Sequence, residues 1–276
     1  MTIAISLKVN DGLVLAADSA STLVTRNPDG TAGVVNVYNN ANKVFNLIKG
    51  LPVGLVTWGV GSIGNASIST IVKDLRSQLV ERIHRDNYTM EEVAQTLREL
   101  LFEGLYTPAF REWEEKPSLG LIVAGYSSRG SMGEEYQIDL TNGECVGPRA
   151  VRRPEEAGIT WGGEGEAIHR LILGFGSGLP IVFERNLGVP AEQVQPTIDI
   201  LRQALSWPLV VPAMPLQDAI DLAEFLVDLT IKFSRFSQGA PTVGGPIEIA
   251  VISKHEHFKW IRRKHYYSPE LNPLGG

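Results

Sequence analysis

The stretch that decides the fold is Thr2-Ile3-Ala4-Ile5-Ser6-Leu7-Lys8-Val9-Asn10-Asp11-Gly12-Leu13-Val14-Leu15-Ala16-Ala17-Asp18-Ser19-Ala20-Ser21-Thr22. Ile3, Ile5, Leu7 and Val9 alternate with Ala4, Ser6 and Lys8, the period-two pattern of a half-buried strand. Asn10-Asp11-Gly12 reads as a tight hairpin turn, because these residue types tolerate positive φ. Leu13 to Ala17 is almost wholly apolar and suits a strand covered on both faces. The chain therefore opens as a β-hairpin whose first strand begins at its N-terminus.

Outward from this hairpin, Leu23 to Asn42 is polar and turn-rich, with turns expected at Asn27-Pro28-Asp29-Gly30 and Asn39-Asn40-Ala41-Asn42. Strand patterns resume at Lys43 to Leu47 and Val53 to Trp58. Ile68, Ile71, Leu75 and Leu79 then fall three and four apart, as do Val93, Leu97, Leu100, Leu101 and Leu105, so two helices are expected. Strands return at Leu119 to Tyr126 and Glu135 to Leu140. Helices follow at Ala167 to Phe175 and Leu216 to Phe233, and Gly244-Gly245 introduces a last strand, Pro246 to Ser253. Helices grouped in pairs do not suit regular βαβ alternation. They predict an α+β fold, a four-layer αββα sandwich of two antiparallel sheets with helices outside. With no repeat or linker visible, residues 1–276 read as a single domain carrying an extra C-terminal strand or tail at about 254–276.

Composition narrows the function classes. The 276 residues are 43% hydrophobic and 20% charged, a soluble globular mixture with enough apolar surface for a generous core. A net charge of -6 favours neither nucleic acid nor an anionic membrane. The single cysteine, Cys145, excludes an intrachain disulfide and a cysteine-based metal site. No apolar run reaches membrane-spanning length, and the N-terminus lacks the basic-then-apolar pattern of a secretory signal, so a reducing cytoplasm is expected.

A threonine at position 2 has a chemical meaning of its own. Removal of Met1 would leave Thr2 with a hydroxyl nucleophile beside a free α-amine, whose pKa of about 8 lets it serve as the base for that hydroxyl. The segment from Thr2 to Thr22 resembles, without a gap, the opening of mature proteasome β subunits and HslV-type peptidases of the Ntn-hydrolase superfamily. Shared are the threonine, the alternating strand, the glycine turn and the apolar strand ending in Ala16-Ala17-Asp18; Ala20 stands where an arginine is usual. Lys43-Val44-Phe45 resembles that family's lysine at the start of the next strand.

The resemblance implies Thr2 as nucleophile, Asp18 as its acidic partner and Lys43 as the adjacent cation, with Gly59 in the Gly59-Val60-Gly61 turn supplying an oxyanion N–H. A lysine ammonium there would stabilise the developing alkoxide, and Asp18 would keep the lysine charged and oriented. Thr160 to Ala167 resembles the family's Gly-Ser-Gly loop and Gly244 to Ile249 its Ser-Gly-Gly strand. The supporting serine is replaced by glycine in the first, and the segment Ala240 to Gly245 lacks the usual Asp and Ser, with Thr242 as a stand-in. Implied overall are hydrolysis of a peptide or amide substrate through an acyl-threonine ester, a homo-oligomeric ring and an unspecified ATPase partner. No cofactor, metal, nucleic acid or membrane is implied.

Other readings compete. A catalytically silent ring or scaffold protein would keep the fold without the chemistry. Gly59-Val60-Gly61-Ser62-Ile63-Gly64 matches the dinucleotide-binding pattern GxGxxG, yet no strand with a terminal acid follows at the required distance, so a turn packing helix on sheet is preferred. His255-Glu256-His257 lacks an evident third ligand. With Lys254, Lys259, Arg262, Arg263 and Lys264 around it, and Trp260, Tyr266 and Tyr267 nearby, it reads as an exposed basic end that contacts another subunit. His84 and His169 fall in helical sequence and read as structural.

Overall fold

A computed structural model describes residues 2–26 and 32–264. Its strands are β1 (Ile3–Val9), β2 (Gly12–Ala17), β3 (Ser21–Arg26), β4 (Ala32–Tyr38), β5 (Val44–Asn46), β6 (Val53–Gly59), β7 (Ser62–Ile63), β8 (Ala66–Ser67), β9 (Leu119–Gly125), β10 (Glu134–Thr141), β11 (Glu144–Ala150), β12 (Gly158–Gly163), β13 (Glu248–Ser253) and β14 (His257–Arg262). The helices are α1 (Ile68–Arg82), α2 (Met90–Arg98), α3 (Thr107–Ala109), α4 (Glu166–Leu173), α5 (Leu179–Ile181), α6 (Ala191–Leu205) and α7 (Leu216–Phe236). A π-helical segment, Glu99–Tyr106, carries α2 onward into α3.

The chain is α+β. Two five-stranded sheets are ordered β12-β1-β2-β13-β14 and β11-β10-β9-β6-β5, and every pairing within them is antiparallel. The alternation read in β1 is present, but the strand is buried on both faces rather than half-buried. Ile3, Ile5, Leu7 and Val9 pack against Ala219, Ala223, Leu226 and Val227 of α7. The other face turns to the second sheet: Ala4 joins Leu13, Leu15 and Ala17 against Val56, Ile122 and Ala124. Each fully buried Ile or Leu contributes about 1.5–3 kcal/mol, so β1 is fixed from two sides. A third core joins the second sheet's far face, through Leu55, Leu121 and Val123, to α1 and α2.

The hairpin between β1 and β2 forms in the expected register, Val9 opposite Gly12. Its reason differs from the expected one, since neither Asn10 nor Asp11 takes a positive φ. Gly12 is demanded by a neighbour: a Cβ there would lie 2.9 Å from the carbonyl oxygen of Ile252.

Several segments depart from the sequence expectation. The stretch read as turns between residues 23 and 42 contains the ribbon β3–β4, while Asn27 to Gly30 lies outside the described residues, as do Tyr266 and Tyr267. Thr160 to Gly163, read as loop, belongs to β12, which pairs with β1. Helix α6 was not foreseen; Pro196 lies inside it and Ile198 is its one buried residue. No helix among the described residues is long and apolar enough to cross a membrane.

Candidate active site

The β1–β2 hairpin brings Thr2 and Asp18 together. Ala4 pairs with Ala17, so the residue ahead of β1 lies beside the residue that follows β2. Asp18 is fully buried and all its acceptor capacity is engaged. Oδ1 accepts from the Ile3 amide at 3.0 Å and from Lys43 Nζ at 2.6 Å, while Oδ2 accepts from the amides of Ala20 and Gly244, both at 3.0 Å. One carboxylate oxygen therefore ties the peptide unit joining Thr2 and Ile3 to the lysine ammonium.

Thr2 is itself 5% exposed, and its carbonyl accepts from the Glu164 amide at 2.6 Å. Gly163, beside that contact, has φ +88, and a Cβ on it would lie 1.9 Å from the Thr2 carbonyl oxygen. Glycine at 163 is thus a consequence of how closely β12 covers Thr2.

Lys43 precedes β5, and its own carbonyl accepts from the Thr57 amide at 3.0 Å, which fixes it to β6. Burial pushes its ammonium below the usual lysine value. Asp18 opposes that shift, Lys264 adds to it and Glu248 opposes it. Lys264 is the finding that sequence reading missed. Read as part of an exposed basic end, its side chain is only 8% exposed and pairs with Glu248 at 3.1 Å. It also donates to Ser19 Oγ and to the Ala41 carbonyl, both at 2.6 Å. It therefore braces the turn carrying Asp18 and the turn leading to Lys43. No local spacing signals this, because β14 returns the segment to the site only through its pairing with β13.

Thr2 and Lys43 line a cavity of about 700 Å³ together with Thr57, Trp58, Gly59, Val60 and Thr242. Gly59 ends β6 at φ +100, where a Cβ would meet the Ser118 carbonyl at 2.4 Å. Thr242 is 5% exposed, and its buried hydroxyl has no hydrogen-bond partner among the described residues. Trp58 stands between the sheets, with its indole against the backbones of Gly120 and Gly162. Lys43 is the one charged residue among those described in the lining.

The remaining sequence candidates fall elsewhere. Strand β6 leads through β7 and β8 to α1, and the next long strand, β9, runs antiparallel to β6, which denies Gly59 to Gly64 the parallel βαβ unit of a dinucleotide site. His255 and Glu256 occupy the β13–β14 turn, and no group of three or more potential metal ligands occurs among the described residues. His84 lies just past α1, while His169 of α4 packs edge-on to Trp161. Burial pushes the Cys145 thiol up, the direction of an unreactive cysteine.

Comparison with known proteins corrects one expectation. No family model matches the chain and no curated protein matches it. The assignment to the proteasome β-subunit and HslV-type peptidase family therefore does not stand. A likeness short of that family is found among solved structures. A Gly-1 mutant of Anbu from Hyphomicrobium sp. strain MC1 is 14% identical, with 96% of this chain and 86% of that one covered at a TM-score of 0.49.

Proposed function

We propose that this protein is an N-terminal-threonine hydrolase acting on peptide or amide bonds. The observation that carries the reading is Asp18 Oδ1 holding the Ile3 amide and the Lys43 ammonium at once, beside a cavity lined by Thr2. Once Met1 is removed, the Thr2 α-amine takes the proton of its own hydroxyl as Oγ attacks the substrate carbonyl. The Lys43 charge favours the developing alkoxide, and the Gly59 N–H is assigned to the oxyanion. Collapse expels the amine, protonated by the Thr2 ammonium, and leaves an acyl-threonine ester. Water, activated by the same amine, hydrolyses that ester. The Thr242 hydroxyl, without a partner among the described residues, is available to hold the new α-amine in place. A lining with no charge other than Lys43 among the described residues supports an uncharged acyl portion.

In this reading the three cores stack as an αββα sandwich of the Ntn-hydrolase type, forming one domain. Ile200, Trp207, Phe225 and Phe236 are all exposed near the helical side, Phe236 by 80%, which supports self-assembly of the chain, as a ring, through its helices. Sedimentation of the whole chain tests the assembly. The chemistry is tested by intact mass after treatment with a threonine-directed β-lactone or epoxyketone. Loss of Met1 and one adduct on Thr2 are expected. Thr2→Ala should abolish labelling and lower amide hydrolysis on the order of 10³-fold or more. Retained Met1 with unchanged hydrolysis in Thr2→Ala would leave a silent scaffold.

A further inference from the structure

A second cavity, of about 380 Å³ and here called the rear one, adjoins the first. The wall between them is the pair Asn42 and Ser69, joined by a hydrogen bond from Nδ2 to Oγ of 3.0 Å, and both residues line both cavities. Ser67 caps α1 by accepting from the Thr70 amide at 3.2 Å, and this sets where Ser69, Lys73 and Arg76 project.

The two cavities have opposite character. The rear one is lined by Lys49, Lys73, Arg76 and Arg263 against a single acid, Glu248. That acid is 1% exposed and already paired with Lys264 at 3.1 Å. In a chain of net charge -6 such a concentration of cations is local, not a reflection of composition. Arg76 is aimed by the backbone, donating to the carbonyl oxygens of Asn46 and Leu47. Arg263 lies over the Trp260 ring, 4.9 Å from its centroid, and its charge adds to burial in depressing Arg76. Two guanidinium groups thus converge although they repel.

We propose that this rear cavity binds a small multivalent oxyanion, a phosphate-bearing ligand held by Arg76, Arg263 and Lys49. Guanidinium forks match phosphate oxygens two at a time, and an anion relieves the mutual repulsion of the cations that surround it. The volume suits a group of pyrophosphate size. The site is connected to the front cavity at two points. Asn42 precedes Lys43, and Arg263 precedes Lys264, which holds Ser19 and the Ala41 carbonyl. An occupant therefore tightens the two segments that position Asp18 and Lys43. The inference stands apart from the Thr2 chemistry, because binding is read directly and not through hydrolysis.

Calorimetric titration of the whole chain with inorganic pyrophosphate tests it. Saturable one-to-one binding that weakens with added sodium chloride is expected. Arg263→Glu and Lys49→Glu should each weaken it about tenfold or more, while Lys254→Glu, on the exposed β13–β14 turn, should leave it unchanged. Lys49 is on the rim, so Lys49→Gln serves if a charge reversal impairs folding, with a smaller loss in the same direction. Absence of saturable binding, or equal weakening by Lys254→Glu, would overturn the proposal.

Discussion

Both ends of β1 meet a buried charge cluster between the sheets, and the two clusters are built differently. At the N-terminal end Asp18 grips the Ile3 amide and Lys43. Further along, Glu135 of β10 accepts from Ser6 Oγ at 2.6 Å and faces Arg152 Nε at 2.7 Å, while Lys8 donates to the carbonyls of Arg153 and Pro154 at 3.3 and 2.7 Å. Both carboxylates are buried, Asp18 at 0% and Glu135 at 1% exposure. Burial pushes Glu135 up from the usual carboxylate value, with Arg152 and Ser6 opposing. The Glu135 cluster pins sheet to sheet and lines neither described cavity. The Asp18 cluster has one side committed to the fold and the other to a cavity lined by four threonines, Thr2 and Thr242 among them. Buried charge alone is therefore a poor marker of a site, since desolvation makes any such pair costly and well partnered. The marker is a partnered charge beside an uncommitted hydroxyl and open space.

The strongest way to break this contrast is to cut both clusters. Asp18→Ala and Glu135→Ala each strand a buried cation, and thermal melts should show losses of about 3–5 kcal/mol for either. Thr2 labelling, measured on folded protein well below the melting point, should separate them. Asp18→Ala should fall on the order of 10²-fold, and Glu135→Ala should stay within about twofold of the parent. Equal loss in both would make the Asp18 cluster merely structural.

A pH series sharpens the same contrast. Lys43 is held below the usual lysine value of 10.5, so its proton is lost earlier and labelling should decline as pH rises through that lowered value. Stability moves oppositely. Between the folded and unfolded values the unfolded chain binds more protons, so the Lys43 contribution to stability increases with pH in that window. Falling labelling in a protein that melts no lower identifies local titration. Lys43→Arg, charged throughout, should carry the alkaline limb to higher pH.

The smallest effect belongs to Thr242→Val. Among the described residues its buried hydroxyl has no partner, so the only bond lost is the one proposed to the α-amine, and stability should fall by no more than about 1 kcal/mol, read as a small drop in melting point. Labelling should fall roughly tenfold, as expected for one lost hydrogen bond to the α-amine.

Much of the fold was legible because the relevant strands and helices repeat their apolar residues against a single packing partner. The alternation from Ile3 to Val9 and the spacing along α1 and α7 both reflect one face pressed on one layer. Legibility failed where burial was slight. Strands β3 and β4 leave Leu23, Val24 and Val35 exposed, and in α6 the interior Pro196 interrupts a helical pattern of which only Ile198 is buried. In the candidate site, Thr2, Asp18 and Lys43 were nameable through the family resemblance carried by Thr2 to Thr22 and Lys43 to Phe45, and the structure puts each beside a strand end. Lys264 and Glu248 were not. Their role depends on β14 folding back along β13, a long-range pairing without a local mark.

Trp58 sits where the backbones of Gly120 and Gly162 leave room for an indole. A Cβ on either glycine would lie 2.0 or 2.3 Å from its ring atoms. These three positions, on strands β6, β9 and β12, act as a single letter of the sequence. Neither glycine can acquire a side chain unless residue 58 shrinks in step, and a smaller residue 58 alone opens a gap between the sheets beside Thr2. Variation at this corner of the molecule has to come in threes.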